Sequence, residues 1–393
     1  MKVVASCSGR FHIFDQAYQL QRHNVLYKFI NDYPKWITRQ WGIPDDKVAS
    51  LLANGILGRA TRVIPNFLGR KVKSTIVKHV HHLFSKRLAG YVPRDADIFM
   101  GLSSFCLEAV HRAKEYGLIT VVEHGSMHQR TEKELLLEEG RLLGLNMDYC
   151  SAPDWIIEKE DEEFNAADFV IVLSHAAKRS LVQEGVSPEK IFVNQCGVNL
   201  SEFSAKEKKT DGIFRIIYCG NITPRKGVHY LLQAFSELRL KNAELLLIGS
   251  SADSDFKKVI GKYMAASIHY MGTFPQNELR NVYVKGSVFV LPSIADGFGL
   301  VVPQAMACGL PVIVTENVGA ADIVTDGADG FVVPIRDISA MKERILRLYE
   351  QPELIQSMSC AAAAKASSAL SWDSYGDRLV GFLTAKLNGQ KLN

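Results

Sequence analysis

Two short stretches of this chain combine glycine, charge and a helix start in the way that anion chemistry requires. In LPSIADGFGLVVPQAMACGLP, residues 291–311, the pattern predicts the end of a buried strand over 287–291 and a loop turning on Pro292, Gly297 and Gly299. A helix follows over 300–308, stopped by Gly309 and Pro311. The N–H groups of a first helical turn lack partners within the helix, and the helix dipole adds positive charge there. Gly299, Leu300 and Val301, with Phe298 before them and Val302 after, therefore form a site for a phosphate or similar anion. Asp296 and Gln304 stand at the two ends of this turn and can face one ligand. The second stretch is GNITPRKG, residues 220–227, where a strand over 214–218 runs into a loop and then a helix over 227–239. Arg225 and Lys226 point cations at any phosphate held there, and Gly227 allows close approach. A glycine-rich strand-to-helix turn also serves plain packing in doubly wound proteins, and Arg225 equally suits a solvated position.

These residues need a frame that brings distant loops together. With 393 residues the chain predicts two domains, and its 47% hydrophobic and 22% charged content suit an ordinary globular protein with two buried sheets. Strands are expected at 3–6, 97–101, 119–123, 169–173 and 191–194 in the first half. In the second half they are expected at 214–218, 244–248, 268–271, 287–291 and 312–315. Helices lie between them, at 13–22, 105–116, 153–167, 175–184 and 338–350 among others, and 317–323 and 325–330 read as closing turns. Alternating strands and helices imply right-handed crossovers and parallel sheets covered on both faces. The polar run SAKEKKTDG marks a linker over 204–212 between domains 1–203 and 213–370.

The net charge of +4 gives no case for nucleic acid. Seven scattered cysteines without a CxxC pair predict reduced thiols and a cytoplasmic protein. No stretch reaches the roughly 20 apolar residues of a membrane span, so membrane contact would be peripheral. Between Asp46 and Asp95 there is no acidic residue, while Arg59, Arg62, Arg70, Lys71, Lys73, Lys78, Lys86, Arg87 and Arg94 are basic. Residues 36–91 read as helical. Val63, Ile64, Phe67, Leu68, Val72, Ile76, Phe84 and Leu88, with neighbours at spacings of three and four, are expected on a buried face. The basic face over 59–94 either rests on anionic lipid or is simply solvated.

The run from Gly297 to Val312 resembles the signature of the retaining glycosyltransferases of family 4, E-G-F-G-L-V-x-x-E-A-M-A-C-G-x-P-V. It departs at both acidic positions, with Asp296 and Gln304 in place of Glu. The phrase ADFVIVLSHAAKRSLVQEGVSPEKIFVNQCGVNLSEF also resembles the family's first-domain end. The likeness covers nearly all of the second half; in the first half it is strong from about residue 117, apart from the opening loop. It implies the GT-B fold: two Rossmann-like doubly wound α/β domains facing a cleft, with a final helix, 371–393, crossing back to the first domain. It further implies a metal-independent hexosyltransferase without a resident cofactor. Such an enzyme moves a sugar from a nucleotide diphosphate to a hydroxyl of a sugar, lipid-linked or small-molecule acceptor, in polysaccharide, glycolipid or glycoconjugate synthesis. A nucleotide-sugar binder that does not transfer, or a GT-B epimerase or phosphorylase, is the competing reading.

By that resemblance the diphosphate is held by Lys226 and by the 298–301 turn. Asn221 occupies the family's Arg position, and Arg225 is expected to compensate. Gly9, in the loop Ser8–His12 after the first strand, is expected to offer its N–H to the same group. His124, in a loop with His128 and Gln129, would lie beside the reacting sugar through its ring or its backbone carbonyl; bonding within its own loop is the alternative. Asp296 would bond donor hydroxyls. Gln304 would meet the ribose, losing one charged acceptor, and the turn at 271–274 with Phe274 would line the base. Arg10 and His12 would face the acceptor, although a lone His near a helix start often caps or packs.

Overall fold

The computed structural model describes residues 1–10, 12–61, 70–147, 151–204, 211–250 and 253–391. In the first half, short Val- and Ile-rich runs form β1 (Val3–Cys7), β2 (Leu26–Asn31), β3 (Val48–Ser50), β4 (Ile98–Leu102), β5 (Ile119–His124), β6 (Phe169–Val172) and β7 (Ile191–Val193). They pair in the order β3-β2-β1-β4-β5-β6-β7, all parallel. The connecting helices are α1 (Ile13–Arg22), α2 (Lys35–Arg39), α3 (Leu52–Ala60), α4 (Arg70–Ala89), α5 (Leu107–Glu115), α6 (Gln129–Leu143), α7 (Asp154–Ala166) and α8 (His175–Gln183). Because strand side chains alternate, β5 sends Val121 into the core beneath α1 and Val122 into the opposite core against α5, α7 and α8.

The second half repeats the plan. Strands β8 (Phe214–Cys219), β9 (Ala243–Ile248), β10 (Ile268–Gly272), β11 (Val288–Leu291), β12 (Val312–Thr315) and β13 (Gly330–Val333) pair in parallel as β10-β9-β8-β11-β12-β13. Helices α9 (Val228–Leu238), α10 (Ser254–Gly261), α11 (Gln276–Tyr283), α12 (Val301–Ala307), α13 (Ile338–Glu350) and α14 (Pro352–Ala369) complete this lobe. The last helix, α15 (Trp372–Lys391), returns to the first lobe. Tyr375, Leu379 and Leu383, spaced by four, form a stripe on one face of it and are buried beside α1. The two chain crossings lie side by side: the Val198 N–H donates to Leu370 O at 2.7 Å.

Several expectations needed correction. Residues 36–91 are not uniformly helical: β3 and a 3₁₀ turn at Asp45–Lys47 interrupt them. Among the described residues the buried part of the expected stripe is limited to Phe84 and Leu88, whereas Val72 and Ile76 are exposed, as are Leu52, Ile56 and Leu57 of α3. Val63, Ile64, Phe67, Leu68 and Arg62 lie outside the described residues, as do Phe11, Cys150 and most of the polar run at 204–212. Strands β2 and β13 and helices α6 and α14 are not predicted by the periodicity; the closing turn expected at 325–330 meets β13 only at Gly330. Among the described residues no helix is long and apolar enough to cross a membrane.

Candidate active site

In each sheet the order reverses between the first strand and a later neighbour, at β1/β4 and at β8/β11. Open parallel sheets hold ligands in the crevice that this reversal leaves at the carboxyl ends of the strands. On the second sheet, β8 leads into the loop of Arg225 and Lys226, and β11 leads into the turn of Asp296 to Val301. The two loops touch because Gly227 has no side chain: it adopts φ +63°, and a Cβ there would sit 1.9 Å from Pro292 O. The Ile294 N–H donates to Arg225 O at 2.8 Å, and the Arg225 guanidinium donates to Ala295 O at 3.1 Å. The Lys226 ammonium forms an ion pair with Asp296, and both side chains are largely buried. Arg225 also reaches Glu132 of α6, in the first lobe, at 3.9 Å. Burial pushes the Glu132 carboxyl above its ordinary range despite the nearby Arg225 charge.

The helix after this turn, α12, is one residue shorter at each end than the sequence predicts. Its anion site is narrower too, because the Val302 N–H already donates to Gly299 O at 2.9 Å. Phe298 is buried in the core, so only its backbone can face a ligand, while Leu300 is exposed. Gly297 has a second use. A Cβ on it would lie 2.0 Å from Gly125 O, so the absent side chain lets the loops of the two lobes meet.

On the first-lobe side, the Gly9 N–H is taken by Asp32 Oδ1 at 3.0 Å, which corrects the expectation that it would be free for a diphosphate. His12 Nε2 lies 2.5 Å from Glu123 Oε1, and Gln16 donates to the other oxygen of that buried carboxylate. His12 thus both packs and borders the cleft. Strand parity decides the neighbouring residue: Glu123 faces α1, so His124 faces α7. The His124 ring is buried, with Nδ1 2.9 Å from Ser103 Oγ and Nε2 3.0 Å from Met127 O. Met127 O can only accept, so Nε2 carries the proton and Nδ1 accepts from Ser103. Burial depresses the pKa of His124, which favours this neutral form. The ring therefore holds its own loop and is not presented to the cleft. His128 does the same, bonded to Asp161 at 2.8 Å and to the Arg130 N–H at 3.2 Å, and Gln129 donates to Ser126 Oγ at 2.8 Å.

Between the lobes lies a cavity of about 1140 Å³ whose walls include Arg10, His12, Asp15, Trp41, Leu300 and Gln304. Gln304 Oε1 is buried there without a hydrogen-bond partner among the described residues. Asn221 accepts from Ser250 Oγ at 2.9 Å, and Phe274 packs partly into the second core. The fold thus gathers Arg225, Lys226, Asp296 and the 298–301 backbone at one point and brings Gln304, Arg10 and His12 to one cavity. His124 stands behind the wall. Sequence reasoning missed Glu123 and Glu132. A carboxylate next to last in the strand run ITVVEH, and Glu132 in line at helical spacing with Leu136, Glu139 and Leu143, were the available signals.

Residues 213–351, within the second lobe, match the family described as Glycosyl transferases group 1. The D-inositol 3-phosphate glycosyltransferase of Streptomyces bingchenggensis is 29% identical over 237 residues, 54% of this chain and 52% of that protein. The capsular polysaccharide biosynthesis glycosyltransferase CapM of Staphylococcus aureus is 29% identical over 207 residues, 49% of this chain and 54% of that protein. The chain spans about half the length of the curated relatives it matches. Solved structures align over nearly its whole length. Sucrose-phosphate synthase from Thermosynechococcus elongatus has a TM-score of 0.72 at 18% identity, covering 99% of this chain and 100% of that one. The Anabaena protein HepE, in complex with UDP and glucose, has a TM-score of 0.68 at 15% identity, covering 98% and 99%. The fold is GT-B.

Proposed function

We propose that this chain is a retaining, metal-independent glycosyltransferase that moves a hexose from a nucleotide diphosphate to a hydroxyl acceptor in polysaccharide, glycolipid or glycoconjugate synthesis. One observation carries the reading. At the crevice between β8 and β11 two cations, Arg225 and Lys226, are held by carboxylates, Glu132 and Asp296, that an incoming diphosphate can replace. The acidic partners keep the cations in place without a ligand, and the phosphate oxygens take over when the donor arrives. Backbone N–H groups at 299–301 meet the same charge.

As the bond from the anomeric carbon to the diphosphate breaks, negative charge grows on the leaving oxygen where these groups converge. The acceptor oxygen bonds to the anomeric carbon on the same face, and its proton passes to the departing phosphate oxygen. Asp296, released from Lys226, bonds the donor hydroxyls. The ribose lies against Gln304, with Asn221 and Phe274 on the nucleotide side and Arg10 and His12 across the cleft. His124 acts as a positioning residue that fixes the 124–128 loop. The domains are 1–203 and 213–370, with 204–212 as linker and 371–393 returning to the first.

UDP sugars are the donors to test first, since the HepE complex holds UDP and glucose. The exposed apolar residues of α3, with Lys78, Lys86 and Arg87 of α4, favour contact with an anionic membrane and hence a cytoplasmic enzyme resting on its inner face. Release of UDP, GDP or ADP from the respective sugars tests the function. Turnover of one of them supports transfer, whereas binding without turnover leaves a nucleotide-sugar binder.

A further inference from the structure

Helix α6 belongs to the first lobe by sequence and topology, yet its inward stripe is docked on the second. Glu139 is fully buried and receives three donors from the other lobe: His229 Nε2 at 2.8 Å, Tyr230 OH at 2.9 Å and Arg336 Nε at 2.8 Å. Arg336 also binds Glu138 at 2.8 Å and Leu135 O at 3.3 Å, so its whole guanidinium is spent on α6. It does so from φ +64°, a conformation that costs a non-glycine residue about 1 kcal/mol or more. Leu143 and Leu145 at the end of the helix pack against the second core. Burial raises the Glu139 pKa, but hydrogen bonds from His229 and Arg336 outweigh it and hold the carboxyl below its ordinary value.

The place of these contacts matters. His229 and Tyr230 begin α9, directly after Lys226 and Gly227, and two turns earlier on α6 Glu132 faces Arg225. We propose that α6 is an interlobe strap. Glu139 anchors it to the start of α9, so that closure of the lobes and the placement of the Arg225–Lys226 loop are set together. Glu139 is thus a positioning residue that touches neither donor nor acceptor. The consequence for transfer rests on the function proposed above, but the mechanical statement does not. The strap adds to the two chain crossings at 194–203 and 370–372 and to the Ser174 Oγ to Gly297 O bond at 3.0 Å as an attachment between the lobes.

The test uses the full chain in a Cys150→Ser background, with spin labels on exposed Cys360 and on a Gln183→Cys substitution in the first lobe. The wild-type protein should give one narrow interlobe distance. Glu139→Gln, which removes the buried charge on which His229, Tyr230 and Arg336 converge and leaves Arg336 only its exposed partner Glu138, should broaden or lengthen it. Arg336→Gly, which relieves the backbone strain while removing the guanidinium, should do the same without loss of folding. Arg336→Lys should restore part of the wild-type distribution. In turnover, Glu139→Gln should lower kcat for transfer tenfold or more while the Kd for UDP changes less than about threefold, because the second lobe keeps Lys226. An unchanged distance distribution in both Glu139→Gln and Arg336→Gly overturns the strap. A distribution shifted in both variants, together with a wild-type protein that turns over no nucleotide sugar, upholds the strap and refutes the transferase reading alone.

Discussion

Replacing Gln304 by Glu restores the carboxylate that the resembling signature carries, and the structure sets the size of the effect. Gln304 Oε1 is buried at the interlobe cavity with no partner among the described residues, so the free protein already carries an unsatisfied acceptor, worth about 1–3 kcal/mol. A carboxylate in that place is costlier still, and Asp15, Glu202 and Asp373 on the same cavity wall add repulsion that, among the described lining residues, only the Arg10 guanidinium offsets. Gln304→Glu should therefore melt below the wild type without ligand. With nucleotide bound, two ribose hydroxyls can donate to it. Hydrogen bonds to a charged group contribute roughly 1.5–3 kcal/mol against 0.5–1.5 kcal/mol for neutral ones, so two of them gain about 2–3 kcal/mol. That corresponds to UDP binding roughly 30- to 150-fold tighter. Isothermal titration with UDP measures it directly, and 2′-deoxy-UDP should recover about half of the gain in free energy. A change below twofold, or weaker binding, would refute the placement of the ribose at Gln304.

Lys226→Met removes charge from the proposed leaving-group site and should cut kcat/KM by about 30- to 1000-fold, as expected for about 2–4 kcal/mol of lost barrier stabilisation. Asp296→Asn should instead tighten UDP binding several-fold while lowering turnover, because it frees Lys226 but removes a donor contact; weaker UDP binding would count against that ion pair as a reserve for phosphate. Burial raises Glu160 from 4.5 to about 7. Between those values the folded state keeps a proton that the unfolded state has lost, so stability falls as pH rises through the window, by on the order of 3 kcal/mol for the group. Glu160→Gln should then melt a few degrees above the wild type at pH 8 and level with it at pH 5. An equal gain at both pH values would exclude the titration. Liposomes of acidic lipid should carry the protein on flotation at low salt, and Ile56→Glu should abolish it. Flotation of neither protein would remove the membrane surface from the reading.

Much of the frame was written locally. Strands such as VVASC, ITVVEH and VFVL announce themselves by largely apolar, Val- and Ile-rich runs, as buried parallel strands do. Gly297, Gly299 and Gly227 mark turns from composition alone. Strands β2 and β13 were less legible because LYKFIN is interrupted by polar residues and GFVV begins on the last glycine of the turn-rich run TDGADG; their pairing with neighbours supplies the stability their sequence does not. Helix α4 differs for the opposite reason. Its apolar spacing predicts burial of Val72 and Ile76, yet both are exposed, and nothing among the described residues covers them.

The sequence by itself determined that two glycine-bearing loops and a pair of cations exist, because turn chemistry and charge are properties of a few adjacent residues. Only the tertiary structure decided what those residues face. Pleat parity turns His124 inward and Glu123 toward α1, and the order of strands brings Lys226 to Asp296, 70 residues on. The apposition of two sheets joins Glu139 to Arg336 across 197 residues. Such pairings depend on how layers stack, and no local window of the chain carries that information.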